Sequence, residues 1–348
     1  MQWDEVYVSS AAVWLGEKED VRDAVAAGRY DAEEAAEDDF ASVRVAGDIS
    51  AADMAVTAAE RALARSGVDP VHFDLIVHAS VGFQGLDHWS PAQYIQARTV
   101  GGSASAVEVK QASNGGLAAL ELTAAFLSAR KAPSAALLTT ADKYDLPAFD
   151  RYRSDKGLTR GDGATALVLS RAGGTARLLS TAVLSDTTHE ALYRGDRPWG
   201  DAYGHDGHPV DMRRRRAEYL ANGVDIWKLI ESANLKQQEA IQTALKDARI
   251  DSGDVAWWVF PNAGRGVVDW DLRRRDFGVE ESRSLWSWGR TVGHIGAGDQ
   301  AAGLTRLLET GAARKGDHVV LAGIGAGFTF GCAVVRVLDE PTWSTTAD

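Results

Sequence analysis

The same order of elements is written twice along this chain, and that duplication limits its possible folds more than any other feature. Ala51 to Arg65 sets Ala55, Ala59, Ala62 and Leu63 on a helical face against Asp53, Glu60, Arg61 and Arg65. Gly67 and Pro70 end that helix, and Phe73-Asp74-Leu75-Ile76-Val77-His78-Ala79 follows as a short, apolar, buried strand. The order returns as a helix over Leu235 to Ala248, a turn at Asp251-Ser252-Gly253-Asp254 and a strand over Val255 to Pro261. A second helix and strand, Ser113 to Ala129 and Ser134 to Thr140, come back as Ala297 to Ala313 and Asp317 to Ala322. Both echoes lie roughly 184 positions apart, the spacing of two similar halves and not of a short-period array. The alternation predicts an α/β chain with mostly parallel, helix-covered sheets, one half in residues 1–175 and the other in 176–348. Ahead of the first unit, Trp3 to Val13 reads as a strand and Glu17 to about Asp39 as a charged, Ala-rich helical stretch.

With 348 residues, 45% hydrophobic and 25% charged, the chain can bury one large core or two ordinary ones without covalent staples. Its single cysteine, Cys332, lies in the apolar run Gly331-Cys332-Ala333-Val334-Val335 and reads as a small buried thiol; no disulfide framework and no multi-cysteine metal site is available. A net charge of −12 argues against general nucleic-acid binding, which needs an excess of Lys and Arg. No apolar run is long enough for a bilayer, and Met1 to Gly16 carries acidic residues where a secretory signal needs cationic ones. The expectation is a cytoplasmic protein with no nucleic-acid or membrane partner. The basic clusters Arg213 to Arg216 and Arg273 to Arg275 read either as solvated helix faces or as docking points for an anionic carrier or coenzyme phosphates. Residues 185–225 break the pattern and read as a lid, a binding loop or a surface excursion. Within them, His205-Asp206-Gly207-His208 lacks the further ligands a metal site needs, so no metal is expected.

The chemistry gathers at two turns. In Val107-Glu108-Val109-Lys110-Gln111-Ala112-Ser113-Asn114-Gly115-Gly116 a strand stops at a small residue and a helix begins. A hydroxyl there meets the positive end of a helix, where free N–H groups favour a developing negative charge. Serine is also a common helix N-cap, so placement alone leaves Ser113 open between the two roles. Downstream, Gly293-His294-Ile295-Gly296-Ala297-Gly298-Asp299-Gln300 supplies an imidazole and a carboxylate five positions apart, again ahead of a helix. Ser113, His294 and Asp299 are the three parts of an activated hydroxyl, with the imidazole as base and the carboxylate as its orienter.

Five short motifs in order make the chain resemble the thiolase superfamily, specifically the β-ketoacyl-acyl carrier protein synthase III group and its acyltransferase relatives. They are Gln111-Ala112-Ser113-Asn114-Gly115-Gly116, Arg160-Gly161-Asp162-Gly163-Ala164-Thr165-Ala166, Phe260-Pro261-Asn262-Ala263-Gly264, Gly293-His294-Ile295-Gly296 and Gly325-Ala326-Gly327-Phe328-Thr329-Phe330-Gly331. The resemblance covers nearly the whole length. It implies a five-layered αβαβα fold of two pseudo-equivalent halves, a homodimer, and ping-pong acyl transfer from coenzyme A or an acyl carrier protein through a covalent acyl-enzyme, with no further cofactor. It puts Ser113 where the family carries its nucleophilic cysteine, and the N–H groups of Ser113 and Gly327 where the family builds an oxyanion hole. Trp89 falls where the family's dimer-contact segment reaches toward the neighbouring active site.

The chain departs from that family in type more than in number. Asn262 stands where a condensing enzyme has histidine, His294 stands where it has asparagine, and Asp299 follows. A carboxylate after the histidine resembles the branch that moves acyl groups to oxygen or nitrogen. A serine needs such an oriented base far more than a partly ionised thiol does. The leading expectation is therefore an acyltransferase acting on a hydroxyl, an amine or a carrier thiol of a natural-product pathway. Decarboxylative condensation with malonyl-carrier protein and a non-catalytic partner subunit are the rivals. Asn262 reads either as a substrate-positioning amide or as a structural one. Of the 11 tryptophans, Trp257, Trp258 and Trp270 flank the Asn262 loop, while Trp286 and Trp288 precede the His294 turn; they read as core filling or as the wall of an acyl pocket, with Trp258 assigned to the substrate. Arg273, Arg274 and Arg275 are the candidates for carrier docking.

Overall fold

The computed structural model describes residues 1–196, 198–200 and 204–343. Among them are eleven strands: β1 (Tyr7–Leu15), β2 (Glu17–Asp20), β3 (Ser42–Val45), β4 (Phe73–Ala79), β5 (Ser105–Val109), β6 (Ala135–Asp142), β7 (Gly163–Ser170), β8 (Ala176–Ser185), β9 (Val255–Val259), β10 (His318–Gly325) and β11 (Thr329–Val337). Nine of them hydrogen-bond in the order β5-β4-β6-β7-β1-β8-β11-β10-β9, and β2 and β3 form a separate ribbon. The order is continuous but weak at its centre, where β1 meets β8 over only Tyr7↔Arg177 and Val8↔Ala176. Two half-sheets result, and the chain passes from one to the other between β7 and β8.

Period-2 alternation on the strands sorts the helices into layers. On the first half-sheet Ile76, Leu137 and Val168 face outward onto Met54, Ala55, Ala58 and Ala62 of the helix Ala51–Ser66. Their neighbours Val77, Leu138 and Leu169 face inward, toward Leu117, Leu120 and Leu127 of the helix Gly115–Ser128 and Leu304 and Leu307 of the helix Asp299–Glu309. From the other side Leu321 and Val335 close the same core, while Val320, Phe330 and Val334 turn outward onto Ile241 and Leu245 of the helix Ile226–Ala248. The arrangement is the five-layered αβαβα fold that the resemblance implies. β6 and β7 are buried at every position, so neither alternates between an apolar side and a solvent-facing polar one.

The sheets are mixed. Only β4 with β5, β4 with β6, and β10 with β9 pair in parallel; the remaining ladders are antiparallel, because β10 returns through a tight hairpin into β11 and β6 is followed by a long loop that reverses into β7. The helical stretch expected from Glu17 to Asp39 is also divided. Glu17–Asp20 pairs with Ser42–Val45, and Asp20 and Asp31 then cap two short helices, Val21–Ala26 and Ala32–Asp38. An aspartate side chain that takes first-turn N–H groups starts a helix wherever it falls, and Gly28, with φ +67°, ends the first of the two.

The two central helices are the pseudo-equivalent pair, and their N-termini meet. A Cβ on Gly116 would lie 2.3 Å from the carbonyl oxygen of Ala297, so only glycine permits the approach. Residues 185–225 fold partly as the helix Met212–Ala221, which carries the four successive arginines. Arg213 forks onto Glu34 at 2.6 and 2.8 Å, Arg214 and Arg215 reach Asp206 at 2.8 and 3.0 Å, and Arg216 reaches Asp155 at 2.8 Å. The cluster is an internal tie that holds the insertion against the body, not a free basic face.

Candidate active site

Ser113 sits between β5 and the helix Gly115–Ser128, directly after Ala112, whose φ of +47° is uncommon for a residue with a Cβ. The sharp turn carries the side chain of Ser113 toward the second half of the molecule. His294 comes to meet it from the turn before the helix Asp299–Glu309, with its backbone pinned on both sides: its N–H donates to Thr159 O at 2.9 Å, and Gly161 N–H donates to its carbonyl at 3.1 Å. Asp142, wholly buried at the end of β6, accepts from Ala297 N–H at 3.0 Å and from Val81 and Gly82 N–H at 2.8 and 2.7 Å. It bolts the histidine turn to the first half-sheet.

The result is one continuous chain of hydrogen bonds. Ser113 Oγ lies 2.7 Å from His294 Nε2, and His294 Nδ1 lies 2.6 Å from Asp299 Oδ2. His294 and Asp299 are each 1% exposed. Asp299 also accepts the N–H of Ile295 at Oδ1 (2.9 Å) and the N–H of Asn262 at Oδ2 (2.8 Å), and it opens a helix, where the dipole favours its charge. Both carboxylate oxygens act as acceptors in this network. The hydrogen of His294 therefore belongs on Nδ1, donated to Asp299, and the free lone pair on Nε2 accepts the Ser113 hydroxyl. This arrangement can deprotonate an alcohol and later return the proton.

Ser113 and His294 line a cavity of about 210 Å³. Pro261, Ala263, Ile324 and the turn Gly325-Ala326-Gly327-Phe328 approach from the second half, with Gly325, Ala326 and Phe328 on the wall itself. Tyr193 and Met212 of the inserted segment also line it.

Residues 245–337 match the family model for the C-terminal region of 3-oxoacyl-[acyl-carrier-protein (ACP)] synthase III. The β-ketoacyl-[acyl-carrier-protein] synthase III of Rhodospirillum centenum is 30% identical over 297 residues, which cover 82% of this chain and 83% of that relative. The chain belongs to the synthase III family. Among solved structures, ChlB3, described as an acyltransferase, is 35% identical and superposes over 98% of this chain and 100% of its own with a TM-score of 0.92. FabH, the 3-oxoacyl-(acyl carrier protein) synthase III of Pseudomonas aeruginosa PAO1, shares the fold at 23% identity, over 96% of this chain and 99% of its own, with a TM-score of 0.75.

Several residues assigned from the sequence of this synthase III family member lie elsewhere. Asn262 is not on the cavity wall; its Nδ2 donates to Gly293 O at 2.9 Å while its N–H holds Asp299, so it is a positioning residue behind the carboxylate. Trp258 is fully buried on the outward face of β9, stacked on Phe260 with ring centres 6.1 Å apart and packed against Phe277 at 5.8 Å. Alternation on the strand turns it away from the central helices, and it cannot touch substrate. No tryptophan lines the Ser113 cavity among the described residues; the aromatic wall is Tyr193 and Phe328. Trp89 lines a separate groove with Phe83, Leu86, His88 and Lys110 and stacks edge-on against Tyr94.

The arginine run divides by helical spacing. On the helix Trp270–Phe277, Arg273 turns inward and is partly buried, with its guanidinium carbon 3.7 Å from the centre of the Phe260 ring, and lines the cavity. Arg274 and Arg275 stay exposed, paired with Asp271 and Glu280 and with Asp276. Arg160, Asp155 and Gln237, also on the cavity wall, went unassigned in the sequence. The available signal was Arg160, a charged residue at the mouth of the wholly buried β7.

Proposed function

We propose that this protein is an acyltransferase that moves an acyl group from a coenzyme A or carrier-protein thioester, through an ester on Ser113, to a hydroxyl, amine or thiol acceptor. The observation that carries the reading is the 2.7 Å contact between Ser113 Oγ and His294 Nε2, with Asp299 behind the imidazole. In the first half-reaction His294 Nε2 takes the hydroxyl proton as Oγ attacks the thioester carbonyl. The C–S bond then breaks, and the sulfur leaves with that proton. In the second, His294 deprotonates the acceptor, which attacks the Ser113 ester; the C–Oγ bond breaks and the proton returns to Oγ. The N–H groups of Ser113 and Gly327 are the proposed oxyanion donors, each worth roughly 3 to 4 kcal/mol when preorganised. Support comes from the Gly325-to-Phe328 turn beside Ser113 and from the likeness to ChlB3.

Intact-mass measurement after exposure to a panel of acyl-CoA esters tests this. The wild type should gain one acyl mass and Ser113→Ala none; label kept by the variant removes Ser113 from its role. Family membership favours a second reading, decarboxylative condensation with malonyl-carrier protein. The side chain of Asn262 speaks against it, since its amide is committed to Gly293 O and does not supply a second donor at the cavity. Release of carbon dioxide from a malonyl thioester distinguishes the two.

We also propose a homodimer built on β5. This edge strand has one partner, β4, and leaves Val107 42% exposed. An edge with free N–H and C=O groups and an exposed β-branched residue suits pairing with a second copy.

A further inference from the structure

The cavity beside Ser113 is lined by buried hydrogen-bond donors that the described residues leave unsatisfied. Arg160, 4% exposed, gives Nη2 to Asp155 Oδ2 at 3.1 Å, yet its Nε and Nη1 are buried without a partner among the described residues. Among the described residues the buried Nη1 of Arg273 has no hydrogen-bond partner, nor has Nε2 of Gln237, which is 8% exposed. These side chains come from the loop before β7, from the helix Trp270–Phe277 and from the helix Ile226–Ala248, and all three line the cavity with Ser113 and His294. Polar groups that reach one cavity from three separate elements, without partners, are costly to the fold unless something enters and accepts from them.

The carboxylates nearby are already committed. Asp155 accepts Arg160 at Oδ2 and Arg216 at Oδ1, 2.8 Å away. Asp269 is turned to cap its own helix, accepting the N–H of Leu272 at 2.8 Å. Burial without a carboxylate partner pulls the Arg273 guanidinium below its ordinary value, and an anion in the cavity would restore it.

We infer that the cavity is a carboxylate subsite: the small molecule that reacts at Ser113 carries a carboxylate held by Arg273, Arg160 and Gln237, and that carboxylate survives the reaction. This rests on Ser113 being the acyl-accepting hydroxyl. A guanidinium fork stabilises the charged carboxylate and so opposes loss of carbon dioxide, the reverse of what a condensing site needs. At about 210 Å³ the cavity admits a chain of a few carbons. The carboxylate belongs either to the donated acyl group, as in a dicarboxylic half-thioester, or to the acceptor, as in a hydroxy acid.

Binding is tested first without turnover. Calorimetric titration of Ser113→Ala with succinate should show binding that weakens at least tenfold when Arg273→Met or, separately, Gln237→Leu is added; both variants keep an apolar side chain of similar length against the cavity wall. Succinate binding that is absent, or indifferent to both changes, overturns the subsite. Turnover then assigns the source. A tenfold or greater preference of the wild type for succinyl-CoA over butyryl-CoA in forming the acyl-enzyme, collapsing toward one in Arg273→Met, places the carboxylate on the donor. Equal acylation by both, followed by faster release of the butyryl group to 3-hydroxybutyrate than to 2-butanol, places it on the acceptor. Preference in neither arm overturns the inference even if acylation occurs, whereas succinate binding to a protein that no thioester acylates overturns the acyltransfer reading and leaves the subsite standing.

Discussion

At the scale of single residues, the candidate site is decided by what lies behind the imidazole. Asp299 accepts N–H groups from His294, from Ile295 and from both the backbone and the side-chain amide of Asn262, and an amide in its place would point its own N–H₂ at one of them. Asp299→Asn should therefore fold yet hold His294 in the wrong tautomer, lowering the rate of Ser113 acylation about 10³- to 10⁴-fold. Stopped-flow release of coenzyme A reads this directly, and a loss under tenfold would show that the carboxylate does not orient the base. Asn262→Ala keeps the backbone N–H and loses the amide bonds to Gly293 O and, at 3.5 Å, to Asp299 Oδ1. A loosened turn should cost about 10- to 100-fold in acylation rate, with little change in KM for the thioester. A rise in KM without a fall in rate would instead restore Asn262 to the substrate.

Among the elements, the critical fit is between the two central helices. Gly116→Ala puts a methyl group where the carbonyl of Ala297 already lies, and the overpacking should cost about 1 to 3 kcal/mol in chemical denaturation. Because Ala297 follows the histidine turn, the same change should slow acylation; a variant as stable and as active as the wild type would mean that the helices do not meet there. The first half-sheet carries its own pH signature. His78 on β4 is wholly buried, with Nδ1 3.0 Å from Thr139 Oγ1 and Nε2 3.2 Å from Gln84 Oε1, and burial, with Lys110 as the nearby charge, pulls it down to about 4. The unfolded chain then binds the extra proton between about pH 6.5 and pH 4, so stability is lost as pH falls through that window. Relative to His78→Gln, the wild type should lose about 2 kcal/mol of unfolding free energy between pH 6.5 and pH 5. Parallel pH dependence of the two proteins would show that His78 takes up its proton in the fold as it does in the unfolded chain.

For the whole molecule, the open question at the surface is the β5 edge. Val107→Lys should leave the fold intact and convert a sedimenting species of twice the chain mass into a single chain, since an exposed lysine blunts edge pairing. A wild type that sediments as one chain at micromolar concentration would remove the proposed dimer. Phe83 and Leu86, 54% and 65% exposed beside the groove that Trp89 lines, lie on the same first half of the molecule and should lose exposure with it.

The two halves, the five layers and the two turns that bear Ser113 and His294 were legible in the sequence, because each follows from local periodicity, from turn chemistry or from an ordered set of short motifs. Residues separated by about five positions, such as His294 and Asp299, were also within reach of that reading. Which way a side chain faces was not. Trp258 turned out to be core and Arg273 to be cavity wall, because each orientation depends on how a strand or helix is rotated against the other elements packed on it. The partnership of Arg160, Gln237 and Arg273 around a single space was likewise decided only by tertiary packing, since burial and the lack of a partner are properties of the assembled layers and not of any one segment.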